Sequence, residues 1–202
     1  MKTALIVAAG NTQGVKISGK YEFVIVADGG YDRAVSLGLK PDIFIGDMDS
    51  VQTDIGNTET IKLQVEKDFT DTEAAIEKAI ELGCKVIDIV GATGTRFDHS
   101  FANACLLKKY ISEDVSIRII DAYNEIFAID KDFVIKGRKG ETVSFLPLDS
   151  NVTGITLKGF YYPLENAKVE IGTTLTVSNV VTEEIAEIKI KEGTLIVIIA
   201  RD

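Results

Sequence analysis

The sequence predicts two folds in tandem: an α/β N-terminal domain with a mostly parallel, Rossmann-like sheet over residues 1–122, then an all-β antiparallel sandwich or barrel over residues 123–202. Two patterns and one magnitude carry this reading. Up to about residue 120, short apolar, β-branched runs alternate with segments of helical period, as strands and crossover helices do. Beyond that point the helical period disappears, and short alternating stretches recur every 8–12 residues or so between Gly, Asn and Asp turns. At 202 residues, 46% hydrophobic and 26% charged, the chain is long enough for one large domain or two small ones. The boundary is expected near residues 121–124, and with no Pro-rich linker the two halves are expected to pack together.

In chain order, the first strand is expected at 4–9, where both faces are apolar, as in a buried parallel sheet. The following Gly10-Asn11-Thr12-Gln13-Gly14-Val15-Lys16 lacks the spacing of a nucleotide-binding Walker A loop and reads as a strand-to-helix turn. Strands follow at 23–27, 43–45 and 60–63, with a helix at 30–37 between the first two. The helix expected at 71–82 carries its own boundary signals. Thr70 and Glu73 form a capping box, Ala74, Ala75, Ile76, Ala79 and Ile80 keep helical spacing, and Gly83 closes it. A strand at 86–90, a helix at 98–110 and a strand at 115–120 complete the first half. The second half offers strands at 133–136, 142–146, 154–157, 168–171, 175–178, 186–191 and 194–200.

Charge and composition narrow the function. With 31 acidic against 22 basic residues the net charge is -9, which disfavours phosphate polymers and anionic lipid, so neither nucleic acid nor membrane is an expected partner. One His and two Cys leave no thiol or imidazole metal site, so a bound metal must be held by carboxylates, as Mg²⁺ or Mn²⁺ is. Two cysteines in apolar segments, and no apolar run long enough to span a membrane, suit a cytoplasmic protein.

Three clusters could carry chemistry. Asp28 follows one expected strand and Asp47 and Asp49 another, so their carboxylates are expected at the ligand-binding end of a parallel sheet. Two apart in an extended segment, Asp47 and Asp49 either share a cation or form a solvated acidic turn. Asp68 and Asp71 flank the start of the capped helix, where the helix dipole alone would favour them, and Lys67 beside them could hold a phosphate. Last, Gly91-Ala92-Thr93-Gly94-Thr95-Arg96-Phe97-Asp98-His99-Ser100 joins a strand to a helix with small residues, an arginine and the only histidine. That combination suits a phosphate on a helix N-terminus, although His99 could equally serve the helix start.

Together, Ala27-Asp28-Gly29-Gly30, Pro41-Asp42 with Gly46-Asp47-Met48-Asp49-Ser50, Asp68-Phe69-Thr70-Asp71 and Gly94-Thr95-Arg96-Phe97-Asp98-His99 resemble, in order and spacing, the motifs of thiamine pyrophosphokinases. Gly159-Phe160-Tyr161-Tyr162-Pro163-Leu164 and Ser178-Asn179 extend the likeness into the second half. The sequence departs from that pattern in a Gly-rich loop with fewer glycines and in Tyr162, where some members have Trp.

The resemblance implies transfer of the pyrophosphoryl group of ATP to the thiamine hydroxyl, giving thiamine diphosphate and AMP. It assigns Asp47, Asp49 and Asp71 to Mg²⁺ and sets Asp28 beside the reacting groups. Arg96, His99, Asn103 and Asp68 would face ATP, and Asp98, Tyr162, Ser178 and Asn179 would face thiamine, with Tyr162 stacking on its cationic ring. It further implies a homodimer with sites completed across the interface. Two other classes remain open: a carboxylate-metal phosphohydrolase, and a noncatalytic nucleotide or thiamine sensor.

Overall fold

The computed structural model describes residues 1–48, 51, 54–64, 66–111 and 114–201. The chain forms two compact units, Met1–Ala122 and Tyr123–Asp202.

In the first unit, strands β1 (Lys2–Val7), β2 (Phe23–Ala27), β3 (Ile43–Gly46), β4 (Glu59–Lys62), β5 (Cys84–Val90) and β6 (Ser116–Ile120) make one sheet in the order β4-β3-β2-β1-β5-β6. Every neighbouring pair in it is parallel. Helices α1 (Gly30–Ser36), α2 (Asp71–Glu81) and α3 (Phe97–Lys109) cover it. The two-residue period sorts the strand side chains between the faces. Leu5, Val7, Val26, Phe44 and Val90 pack with Tyr31 and Ala34 of α1. Their sequence neighbours, such as Ile6, Ile25, Ile45 and Ile89, are equally buried on the face where α2 crosses β1, β2, β3 and β5. Burial on both faces is what makes these strands near-continuous apolar runs.

Thr70 caps α2, the Glu73 amide donating to Thr70 Oγ1 at 3.2 Å, while the Glu73 carboxylate pairs with Lys109 rather than closing a capping box, and Gly83 takes φ +81° just past the helix. One expectation fails between β1 and β2. Residues 8–22 contain no helix, only a turn near Gln13 and Gly14, so the anticipated strand-to-helix turn is an irregular crossover. Gly14 at φ +76° works against a helix there, and Val15, Ile17 and Tyr21 cover the sheet in its place.

The second unit is entirely β. One antiparallel sheet runs β12 (Asn179–Val180), β9 (Thr142–Pro147), β14 (Leu195–Ala200), β7 (Asn124–Ile129). The other runs β11 (Leu164–Val169), β10 (Val152–Lys158), β13 (Ile185–Lys189), β8 (Phe133–Lys136). Phe127, Val143, Phe145, Leu195 and Val197 from the first share one core with Ile135, Ile155, Leu157, Val169 and Ile188 from the second, which is a sandwich. The fold class read from the sequence is therefore the one observed. Two strand assignments need correction. Residues 175–178 form turn and bend, with Ser178 at φ +57°, and the strand starts at Asn179. Strand β7 is an addition to the expected set, starting at the expected domain boundary itself. Among the described residues no helix is long and apolar enough to cross a membrane.

Candidate active site

The strand order fixes where a ligand can sit. From β1 the chain steps outward through β2, β3 and β4, then returns by way of α2 to β5 on the other side of β1. Parallel sheets bind ligands beyond the carboxyl ends of the strands at such a reversal. A cavity of about 340 Å³ opens there, within the usual range for small-molecule sites. Ala8, Ala9 and Gly10 after β1, Ala27 and Asp28 at the end of β2, and residues 91–95 after β5 line it. Two helix starts complete the wall: Thr70, Asp71 and Thr72 of α2, and Arg96, His99, Ser100 and Asn103 of α3. Amides at helix N-termini favour anions.

Main chain forms the floor. The β1–β5 ladder continues past both strands, with the Ala8 amide donating to Val90 O at 2.9 Å, Gly10 to Gly91 O at 2.8 Å and Asn11 to Thr93 O at 2.7 Å. A Cβ on Gly10 would lie 2.3 Å from Thr93 O, and one on Gly91 2.3 Å from Ala8 O, so neither position admits a side chain. The 91–96 loop is also held from outside the ladder. Asn103 Nδ2 donates to Ala92 O at 2.8 Å, Thr93 Oγ1 to Asp121 Oδ2 at 3.1 Å, and the Gly94 amide to Ser100 Oγ at 3.1 Å. Asn103 is 7% exposed and lines the cavity while anchoring its wall.

Two acidic residues, Asp28 and Asp71, line the same cavity. Asp28 has φ 48° and donates its amide to Ile45 O at 2.9 Å, tying the end of β2 to β3. Its Oδ1 is buried without a hydrogen-bond partner. Asp71 Oδ1 is buried and likewise lacks a hydrogen bond, although Lys67 Nζ lies 3.0 Å away as an ion pair whose angles do not make one. Asp47, half-buried, follows β3 and does not line the cavity. Its neighbour Gly46 runs against Asp28, for a Cβ there would lie 3.1 Å from Asp28 Cα. Asp68 is exposed and also outside the lining, and Asp49 lies outside the described residues. Among the described residues no three His, Cys, Asp or Glu side chains gather as a metal cluster.

Arg96 faces its own near neighbour. Its Nε and Nη2 donate to the two oxygens of Asp98 at 3.2 and 2.5 Å, both side chains being solvent-exposed. That two-pronged bond holds the Asp98 carboxyl down at about 2.

In the second unit, Tyr161 and Tyr162 are exposed and meet edge to face at 4.9 Å. Asn179, 2% exposed, grips the neighbouring backbone: its Nδ2 donates to Tyr162 O at 2.8 Å, and its Oδ1 accepts from the amides of Tyr162 at 3.0 Å and Val180 at 2.9 Å. The Ser178 amide donates to Ser144 Oγ at 3.0 Å.

Residues 16–119 match the family model of the thiamin pyrophosphokinase catalytic domain, and residues 127–195 that of the thiamin pyrophosphokinase vitamin B1 binding domain. The chain belongs to the thiamin pyrophosphokinase family. It is 32% identical to the thiamine pyrophosphokinase of Bacillus subtilis, with the whole of each chain covered. The crystal structure of a thiamine pyrophosphokinase from Bacillus subtilis superimposes with a TM-score of 0.89 at 30% identity over the whole of both chains. That of the thiamin pyrophosphokinase from Geobacillus thermodenitrificans gives 0.87 at 29% identity, covering 99% and 98%. The yeast thiamin pyrophosphokinase structure shares the fold, with a TM-score of 0.82 at 14% identity.

Within this thiamin pyrophosphokinase family member, Asp28, Asp71, Arg96, His99 and Asn103 come together in one cavity, as their strand-end and helix-start positions suggested. The sequence reading passed over Ala8, Ala9, Gly10 and Thr72. The signal for the first three is in the sequence: small residues at the carboxyl end of the first strand, where Gly10 lacks Walker A spacing yet still leaves room for backbone at a ligand.

Proposed function

We propose that the chain transfers the pyrophosphoryl group of ATP to the hydroxyl of thiamine, giving thiamine diphosphate and AMP, with Mg²⁺ required. The observation that carries this is a single cavity whose lining combines anion-suited backbone with two buried carboxylates. Peptide amides and two helix starts suit a triphosphate, and the buried, hydrogen-bond-free oxygens of Asp28 and Asp71 suit a hard divalent cation, which takes oxygen ligands. Asp47, Asp49 and Asp71 would hold Mg²⁺, whose contribution is to neutralise charge on the phosphate oxygens.

The chain's own groups supply the rest. Pyrophosphoryl transfer demands positioning and charge stabilisation more than covalent participation. The tethered 91–96 loop presents its backbone to the phosphates in a fixed geometry, with Arg96, His99 and Asn103 on the same side. Asp68, exposed just before α2, would act at the edge of the nucleotide site. Asp28 stands beside the reacting groups and accepts a hydrogen bond from the thiamine hydroxyl. Asp98 accepts from the aminopyrimidine, and Tyr162 offers a ring face to the cationic thiazolium, with Ser178 and Asn179 shaping that segment. The reading includes a homodimer, which sedimentation would report as twice the chain mass.

The test is incubation with thiamine, ATP and Mg²⁺, with the nucleotides resolved by chromatography. AMP should appear in step with thiamine diphosphate. ADP or orthophosphate in its place would overturn the reading in favour of a phosphohydrolase, and binding without turnover in favour of a sensor. Asp47→Asn should lower kcat by about 100-fold or more with the fold intact.

A further inference from the structure

We propose that Lys67 guards Asp71: its ammonium claims the carboxylate oxygen that a divalent cation would take, and so weakens the hold of the cavity on a bare cation. The inference rests on the carboxylate–Mg²⁺ reading above.

Both claims converge on one atom. Asp71 lines the cavity at the start of α2, and its Oδ1 is buried with no hydrogen bond. Lys67 Nζ lies 3.0 Å from that same oxygen. The contact has the distance of an ion pair without the alignment of a hydrogen bond, so Oδ1 has a counter-charge and still has lone pairs to give, which is what a hard cation needs. The ammonium is held in place from behind, donating to Gln64 O at 3.2 Å. With the Lys67 side chain 12% exposed and that of Asp71 24%, the pair is largely but not wholly shielded from water.

Helix stability alone does not call for a lysine here. Lys67 stands three residues before the Thr70 cap of α2, at the positive end of the helix dipole, where a cation is disfavoured. Shielding its ammonium from water adds a desolvation cost. Asp71, in the first helical turn, is favoured by the dipole without any help from a side chain. What the lysine gains is Asp71 itself, and a divalent ion on Oδ1 would meet the ammonium as a like charge at close range. A charge that near shifts the affinity of a carboxylate for a proton by about ten- to a thousandfold, and partial contact with water sets the effect here at the lower end.

The test is Mn²⁺ binding to the full chain, followed by electron paramagnetic resonance with the metal alone and no nucleotide. Lys67→Met should tighten Mn²⁺ binding by about tenfold, and Lys67→Gln, which removes the same charge, should do likewise. Lys67→Arg keeps the charge and should bind Mn²⁺ as the parent does. The gain must run through the carboxylate, so the double variant Lys67→Met with Asp71→Asn should lose it. A lysine that merely props Asp71 in place predicts the opposite sign, because its removal would weaken the metal. Weaker or unchanged binding in both Lys67→Met and Lys67→Gln would overturn the inference, as would a gain that survives in the double variant. Asp71→Asn alone separates the two levels: if it binds Mn²⁺ as the parent does, the cation reading at Asp71 fails, whatever Lys67 does.

Discussion

Asp28 is held where a side chain other than glycine is strained, at φ 48°, with a buried carboxylate oxygen that finds no partner. Both costs fall on one residue at a strand end, which is what a site selected for chemistry over stability looks like. Asp28→Gly should therefore raise the melting temperature, the relief amounting to about 1 kcal/mol, while turnover collapses. A variant that loses both stability and activity would mean that the carboxylate is structural. At Asp98 the expected behaviour is a titration. Pairing with Arg96 depresses its pKa to about 2, so the pair adds stability above the unfolded carboxylate value of about 4 and loses it as pH falls through the folded value. Carboxyl NMR should show that low midpoint in the free protein and its return to the ordinary range in Arg96→Ala. Residue identity was legible at this scale, but direction was not. The sequence nominates Asn103 and Asn179 as polar contacts, but in the fold their amides hold Ala92 and Tyr162 backbone. Asn179→Ala should accordingly raise the KM for thiamine by loosening the Tyr161–Tyr162 segment, and leave the KM for ATP near that of the parent.

Among the elements, those with local signals were legible. The helix at α2 announced itself through Thr70, Glu73 and Gly83, and the sheet strands through runs apolar on both faces. The β1–β2 crossover was not legible, because its substitute for a helix is tertiary: Tyr21 donates its hydroxyl to Asp88 Oδ2 at 2.7 Å, and Arg118 Nε and Nη2 reach the two oxygens of the same carboxylate at 2.9 Å each. Asp88 sits mid-strand on β5 at 3% exposure, a position for which sequence would choose an apolar residue. Removing it takes away the carboxylate that Arg118 grips with two nitrogens, and because that arginine is partly open to water, Asp88→Ala should cost about 2 kcal/mol in denaturant unfolding. Tyr21→Phe should cost about 1 kcal/mol. Burial, then the bond to Asp88, push the Tyr21 phenol well above its ordinary value. The protonated form belongs to the folded state, so this contribution is whole below about pH 10 and declines above it, a decline that Tyr21→Phe should lessen.

For the whole molecule, the net charge of -9 acts on every approaching ion. Thiamine carries a fixed positive charge, so its association should slow by a few-fold as salt shortens the screening length from about 30 Å at 0.01 M to about 8 Å at 0.15 M. Stopped-flow fluorescence would measure this, and a rate indifferent to salt would remove long-range steering. The order of the strands was the least legible feature at this scale. Pairing β1 with β5 joins residues some eighty apart, and no local pattern in either strand names its neighbour.

The glycine-lined floor of the cavity has a consequence for how this protein can change over time. Peptide groups are the same whichever residues they join, so substitutions around the cavity can accumulate while the surface beneath the ligand keeps its chemistry. The tolerance ends abruptly at Gly10 and Gly91, where the smallest possible addition, one methyl group, would collide with a carbonyl. The surface most indifferent to ordinary drift thus depends on two positions that permit almost none.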